Sequence, residues 1–320
     1  MKAGFPILLL ALCEPARTLR MGGLIARLKQ EIPHARITLA TTSASAGLFQ
    51  DDQFVDELQV FDGALFRLKA LGALNELSQR RWGLCIDIGP SLLSRMMKAR
   101  TRFTYNPNAK GDALTQICSA LRLTLADVAP DLRLSPGRIA RVRSQIEGGK
   151  NSEPYIVMAP GASWLGRRWP TERFAVLAAR LLRENGPLAK HRLLVMGGAA
   201  DHETMLALSM ATSKSQAFEV TGDQSLLNAY AALKNAALFV GNDEIWLHLA
   251  AAAGVPSFGL LGPGDERNIP DDAHVHLIRG PRSLADIRAI DPRLNQKACH
   301  MLDLSIDHVA SKIERSLAGH

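Results

Sequence analysis

A chain of 320 residues, 47% hydrophobic and 22% charged, is long enough for two globular domains with separate cores, and its composition excludes disordered and fibrous classes. Four cysteines (Cys13, Cys85, Cys118, Cys299) include no CxxC pair, so the spacing needed for a zinc site or a disulfide framework is missing and a reducing cytoplasm fits best. The formal charge of +7 is uneven: residues 1–150 hold 21 Lys/Arg against 13 Asp/Glu, net +8, and the remainder 17 against 18, net −1.

The opening stretch, MKAGFPILLLALCEP, reads as a buried first strand rather than a signal segment. Its apolar run is short, Leu12 stands where a lipoprotein signal needs a small residue, and no Ala-x-Ala site follows. No stretch reaches the ~20 apolar residues that span a bilayer. Short apolar runs then alternate with helix-period segments. Strands are expected at Ile7–Leu12, Arg36–Thr41, Glu57–Phe61, Leu84–Ile88 and Phe103–Tyr105, with helices near Arg17–Glu31, Phe66–Arg80 and Ser91–Lys98.

After a polar region at residues 148–153 the same rhythm restarts: Tyr155–Met158, Leu193–Met196, Phe218–Val220, Leu238–Gly241, Ser257–Leu261 and Val275–Ile278. The expectation is an α/β protein with two doubly wound, Rossmann-like parallel sheets, residues 1–150 and 151–320, hinged near residue 150 and facing a central cleft. The basic first half points to an anionic partner or an acidic membrane surface. Nucleic acid is not expected, because no RNA or DNA motif accompanies the charge.

Four strand-end loops in the second half carry the chemistry: PGASWLGRRWP, GGAADHE, GNDEIWLHLAAAAGVP and LLGPGDERNIP. Read singly, Gly197-Gly198 and Gly262-Pro263-Gly264 are turns, Asp243 caps a helix over Glu244–Ala253, and His248 is a core histidine. Read together, helix N-termini and an arginine face phosphates, and Glu203 accepts from ribose hydroxyls. Neither a Walker A sequence nor GxGxxG after the first strand is present.

PGASWLGRRWP, GNDEIWLHLAAAAGVPSFGLLGPGDE, DDQFVDELQVFD and RWGLCIDIGPS, in that combination, resemble glycosyltransferase family 9, the ADP-heptose:lipopolysaccharide heptosyltransferases. The resemblance implies a GT-B fold and an inverting, metal-independent cytoplasmic transferase without cofactor. Its donor is a nucleotide-diphosphate sugar such as ADP-heptose, held by the C-terminal domain. Its acceptor is an anionic glycolipid or glycan such as lipopolysaccharide inner core, held by the N-terminal domain; the +8 charge of the first half fits such an acceptor and equally fits peripheral contact at the inner membrane surface. By position it implies that Arg167, with Arg168 beside it, faces the diphosphate and that Ser163 adjoins it. Glu203 then meets the ribose, Asp243 lies in the sugar-phosphate pocket, and His248, Gly262, Gly264 and Asp265 line the same loops. Either Trp164 or Trp169 is core.

Two departures stand out. The family's Gly-Asp pair after the first strand, source of the general base, is replaced by CEPARTLRMGG, where Glu14 is the nearest carboxylate. The usual Asn-Asp-Ser-Gly is Asn242-Asp243-Glu244-Ile245, placing a carboxylate where phosphate should approach backbone N–H groups. An active transferase using Glu14 is the first reading; a catalytically silent homologue serving as a binding or scaffolding module is the alternative. A nucleotide-sugar epimerase is more distant.

Overall fold

Unbroken apolar runs make strands buried on both faces, as parallel sheets require. The first, β1 (Phe5–Ala11), buries its last five residues. A computed structural model describes residues 4–61, 68–89, 93–147, 153–213, 215–220, 225–266, 269 and 272–319. In it the chain divides into units Met1–Ser135 and Pro136–His320.

In the first unit β1 is joined by β2 (Ala35–Thr42), β3 (Glu57–Phe61), β4 (Arg81–Asp87) and β5 (Lys98–Thr104) in the order β3-β2-β1-β4-β5, with every pairing parallel. The strand order reverses between β1 and β4, which opens a crevice at their carboxyl ends. Leu8, Leu10, Ala40, Trp82 and Cys85 lie in its core. Gly22 and Gly23 of the loop-to-helix sequence RMGG have a packing role. A Cβ on Gly23 would overlap the carbonyls of Val128 and Ala129, so glycine lets the helix Met21–Glu31 lie directly on that backbone.

The second unit contains β6 (Tyr155–Ala159), β7 (Arg192–Gly198), β8 (Ser215–Val220), β9 (Leu238–Asn242), β10 (Ser257–Leu261) and β11 (Val275–Arg279) in the order β11-β10-β9-β6-β7-β8, again all parallel. Its switch point lies between β6 and β9. Phe174, Leu177, Leu193, Val240 and Phe258 fill the core. The last helix, Ile306–Ala318, is fixed to the helix Thr171–Leu182 by a bidentate Arg180–Glu314 pair, 2.8 Å in both arms, and by Arg180–Asp307 at 2.9 Å.

All eleven expected strands occur. β5 is displaced, however. The sequence suggests a helix over Ser91–Lys98 and a strand at Phe103–Tyr105, whereas a four-residue helix, Leu93–Met96, gives way at Lys98 to the strand. KARTRFT is an edge strand exposed along most of its length, so it has no apolar alternation to announce it. The helix expected over Arg17–Glu31 is broken into Pro15–Thr18 and Met21–Glu31.

The unit boundary falls before the cut at residue 150, because the helix Pro136–Glu147 is tied to the second unit. Arg138 donates to Asn228 Oδ1 at 2.6 Å, and the carbonyls of Gln145 and Ile146 accept from Gln216 and Arg192 at 2.9 and 2.6 Å. Residues 148–152, where the hinge was expected, lie outside the described residues. Moving this Arg-rich helix redistributes the charge: residues 1–135 hold 17 Lys/Arg against 12 Asp/Glu, net +5, and residues 136–320 hold 21 against 19, net +2. Both units are therefore basic.

Candidate functional site

The loop after β6 is built by one buried amide. Asn242, the last residue of β9 and 1% exposed, donates through Nδ2 to the carbonyls of Pro160 and Gly161 at 2.9 and 3.0 Å and accepts from the Trp169 N–H at 3.1 Å. Both ends of PGASWLGRRW are thereby stitched to the neighbouring strand. Trp169 is the core tryptophan: it is fully buried, its indole N–H donates to the Leu304 carbonyl at 2.8 Å, and its ring meets Phe174 edge-on. Trp164 is half-buried and packs edge-on to His300, with ring centroids 6.1 Å apart.

Between these anchors the loop presents Ser163 and Arg167 towards the end of β9. The Ser163 N–H and Oγ–H both donate to Glu244 Oε1, at 2.9 and 2.7 Å. The Arg167 guanidinium lies 3.9 Å from Asp243 Oδ2, an ion pair beyond hydrogen-bond reach. Asp243 is 7% exposed, and burial pushes its carboxyl above the usual range against the opposing pull of Arg167 and Arg279, while Asp265 adds to the rise. Burial also raises Glu244, against its two bonds from Ser163 and the charge of Arg167. The helix that follows is Ile245–Ala252; Glu244, rather than Asp243, is its N-cap, and no side-chain cap bond forms.

The loop after β10 completes the cluster. A Cβ on Gly264 would overlap an Asp243 carboxylate oxygen, so only glycine permits this approach. Arg279, the last residue of β11, fixes the loop by donating to the carbonyls of Gly262 and Gly264, the latter at 2.9 Å, and to Glu266 at 3.1 Å. Thus Ser163, Arg167, Asp243, Gly262, Gly264 and Asp265 come together at the carboxyl ends of β6, β9 and β10.

Three other expected residues stand differently. Arg168 turns back, donating to the Ala162 carbonyl at 3.1 Å while its own carbonyl accepts from the Cys299 thiol at 3.3 Å, so it braces the loop. His248 is buried on the helix Ile245–Ala252. Glu203 is exposed in the first turn of the helix His202–Met210, after β7, and among the described residues no hydrogen bond or ion pair joins it to the cluster. Sequence reasoning missed Arg279 and the stitching role of Asn242. A lone arginine ending a strand carries no motif, and an asparagine beside an aspartate reads as part of a turn.

In the first unit Glu14 follows β1 as N-cap of the helix Pro15–Thr18. Its side chain is 64% exposed and pairs with Arg17 at 3.3 Å, and the Arg17 guanidinium lies over the Tyr105 ring, 5.5 Å from its centre. Cys13 is half-buried against Thr18, and burial raises its thiol. At the adjacent end of β4 lies Asp87, 1% exposed, whose carboxylate accepts from the Gly89 N–H at 3.0 Å. Sequence reasoning passed over Asp87 because it sits within an apolar strand. Among the described residues no three His, Cys, Asp or Glu side chains are grouped to hold a metal ion, and no helix is long and apolar enough to cross a membrane.

Residues 98–279, more than half of the chain, match the family model of glycosyltransferase family 9 (heptosyltransferase). Over 159 residues the chain is 29% identical to lipopolysaccharide heptosyltransferase 2 of Salmonella typhimurium and 28% identical to that of Escherichia coli. Each match takes in 47% of this chain and 44% of the relative, so it spans less than half the length of either protein. Among solved structures, a family 9 glycosyl transferase of Veillonella parvula superposes with a TM-score of 0.77 at 19% identity, over 100% of this chain and 99% of the other. ADP-heptose lipopolysaccharide heptosyltransferase II of E. coli gives 0.68 at 19% identity, covering 98% and 99%. E. coli heptosyltransferase WaaC, solved with ADP, gives 0.69 at 16% identity, covering 98% of both chains. At these identities the superpositions establish the shared fold.

Proposed function

Because the chain belongs to glycosyltransferase family 9 (heptosyltransferase), we propose that it transfers a heptose from ADP-heptose to an anionic acceptor such as lipopolysaccharide inner core, with inversion and without a metal or cofactor. The observation that carries this reading is the convergence of Ser163, Arg167 and Asp243 at the second unit's strand ends, on a loop held rigid by Asn242.

In this reading Arg167 and the Ser163 donors take the diphosphate, Asp243 and Asp265 accept from sugar hydroxyls, and Glu203 accepts from the ribose. The acceptor, held by the first unit, attacks the anomeric carbon through a hydroxyl oxygen as the bond to the β-phosphate oxygen breaks. The hydroxyl proton passes to Glu14, and the nucleotide diphosphate departs with the bonding electrons, its charge met by Arg167.

An anionic acceptor or membrane surface is supported by the cations around β5. Between Leu77 and Gly111 stand seven Lys/Arg and a single acid, the buried Asp87. Lys98, Arg100 and Arg102 alternate along the edge strand, and with Arg81 they line a depression of about 590 Å³. In this reading the enzyme works in the cytoplasm, against the inner face of the membrane.

The silent reading draws on the two departures, a loop after β1 without an aspartate and Glu244 where phosphate should approach backbone N–H groups. Mass spectrometry of reactions containing ADP-heptose and heptose-lacking lipopolysaccharide, with and without chelator, tests both. A heptose added under both conditions, with inverted anomeric configuration by NMR, supports the transferase. Donor binding without transfer across a panel of acceptors identifies the binding module.

A further inference from the structure

Glu244 stands at the donor site without a role in the transfer. A backbone N–H and a hydroxyl directed at one oxygen form the arrangement by which proteins recognise a phosphate oxygen, and here both donors of Ser163 are engaged by Glu244 Oε1 at 2.9 and 2.7 Å. Arg167 is not committed in the same way: it reaches Asp243 only at 3.9 Å, and its Nε has no hydrogen-bond partner. An arriving diphosphate therefore meets an available cation beside donors that a carboxylate already holds.

We propose that Glu244 is an internal anion occupying the phosphate-binding donors of Ser163, which a nucleotide-diphosphate sugar displaces on binding, so that this residue sets both the affinity and the pH dependence of donor binding. The inference rests on the donor-site reading above and adds the competing group.

The groups facing Glu244 pull its proton affinity in opposite directions. Ser163 and Arg167, from the loop after β6, favour the carboxylate; Asp243, beside it, disfavours it, as does burial. Asp243 itself is faced by Arg279 and Asp265. Burial is the largest influence and the carboxyl lies above its ordinary range, so a proton reaches it more readily than an exposed glutamate. A bound diphosphate withdraws the Ser163 bonds and adds negative charge nearby, and both changes raise the carboxyl further. Binding therefore takes up a proton, and affinity increases as pH falls towards the Glu244 range.

The test is calorimetric titration of ADP-glucose, whose diphosphate diester keeps a constant charge across the window, at about pH 5.5 and about pH 8, in buffers of differing ionisation enthalpy. The wild type binds more tightly at the lower pH and takes up protons. Glu244→Gln binds ~10-fold more tightly than wild type at the higher pH, with weaker pH dependence and less proton uptake. Glu244→Ser, which removes the carboxylate and its reach to Ser163, behaves the same way and covers the case in which the glutamine variant folds poorly. Weaker binding by both variants, or wild-type binding without proton uptake, overturns the inference and makes Glu244 an ordinary ligand contact. Absence of ADP-glucose binding by wild type and variants alike overturns the donor-site reading, and the inference with it.

Discussion

Asn242→Ala tests whether the loop after β6 owes its shape to one side chain. The substitution removes three hydrogen bonds, of 2.9, 3.0 and 3.1 Å, at a residue 1% exposed, and leaves the buried Trp169 N–H without its acceptor. At about 1 kcal/mol net for each bond the loss is ~3 kcal/mol. Asn242→Asp should be at least as damaging. Its carboxylate keeps an acceptor for Trp169 but turns an oxygen towards two carbonyls and buries a charge next to Asp243. Urea unfolding followed by tryptophan fluorescence gives the change from the midpoint shift at constant slope. Calorimetry on the folded variant should show weakened nucleotide-sugar binding, since Ser163 and Arg167 lose both anchors of their loop. Stability within about 1 kcal/mol of wild type, with unchanged affinity, would refute this account of the loop.

Asp243→Asn should raise the melting temperature near neutral pH and lose that advantage in acid. The carboxyl is raised in the folded state by burial, so the folded protein holds the proton more tightly than the unfolded chain, and the ionised form costs stability only above the ordinary carboxylate range; a variant less stable than wild type at about pH 8 contradicts this. Glu14→Gln should leave stability within ~1 kcal/mol, because the Arg17 pair it loses is exposed, yet lower turnover by ~10²–10⁴-fold with loss of the acidic, carboxylate limb of the pH–rate profile. Wild-type turnover removes Glu14 from the mechanism and directs attention to Asp87. Reversing Lys98 and Arg100 to glutamate should abolish sedimentation with phosphatidylglycerol vesicles at low salt, where each cation contributes ~1 kcal/mol; vesicle binding that survives the reversal places the membrane contact elsewhere.

The sequence made the sheets legible because parallel strands buried on both faces are continuous apolar runs; even the short strands of the second unit could be located this way. β5 could not, since an edge strand carrying Lys98, Arg100 and Arg102 has no buried face to impose a period. The helix Pro136–Glu147 was hidden for a related reason: it is rich in arginine and buries only a narrow stripe, Arg138, Val142 and Ile146, so it read as basic surface of the first half. At the candidate site, motif positions located Ser163, Arg167, Asp243 and Gly264 together. What they could not supply were partnerships across the strand ends. That Asn242 ties down Trp169, that Arg279 holds the Gly262 and Gly264 carbonyls, and that Glu244 grips Ser163 all depend on residues between 15 and 81 positions apart.

The most direct test of the donor site is the affinity of ADP-heptose for wild type and for Arg167→Ala. Arg167 is the cation nearest Asp243, and loss of its charge-assisted bonds to the diphosphate should weaken binding by ~1.5–3 kcal/mol while thermal unfolding stays close to wild type. Equal affinity in the two folded proteins would contradict the assignment of this cluster to the nucleotide diphosphate.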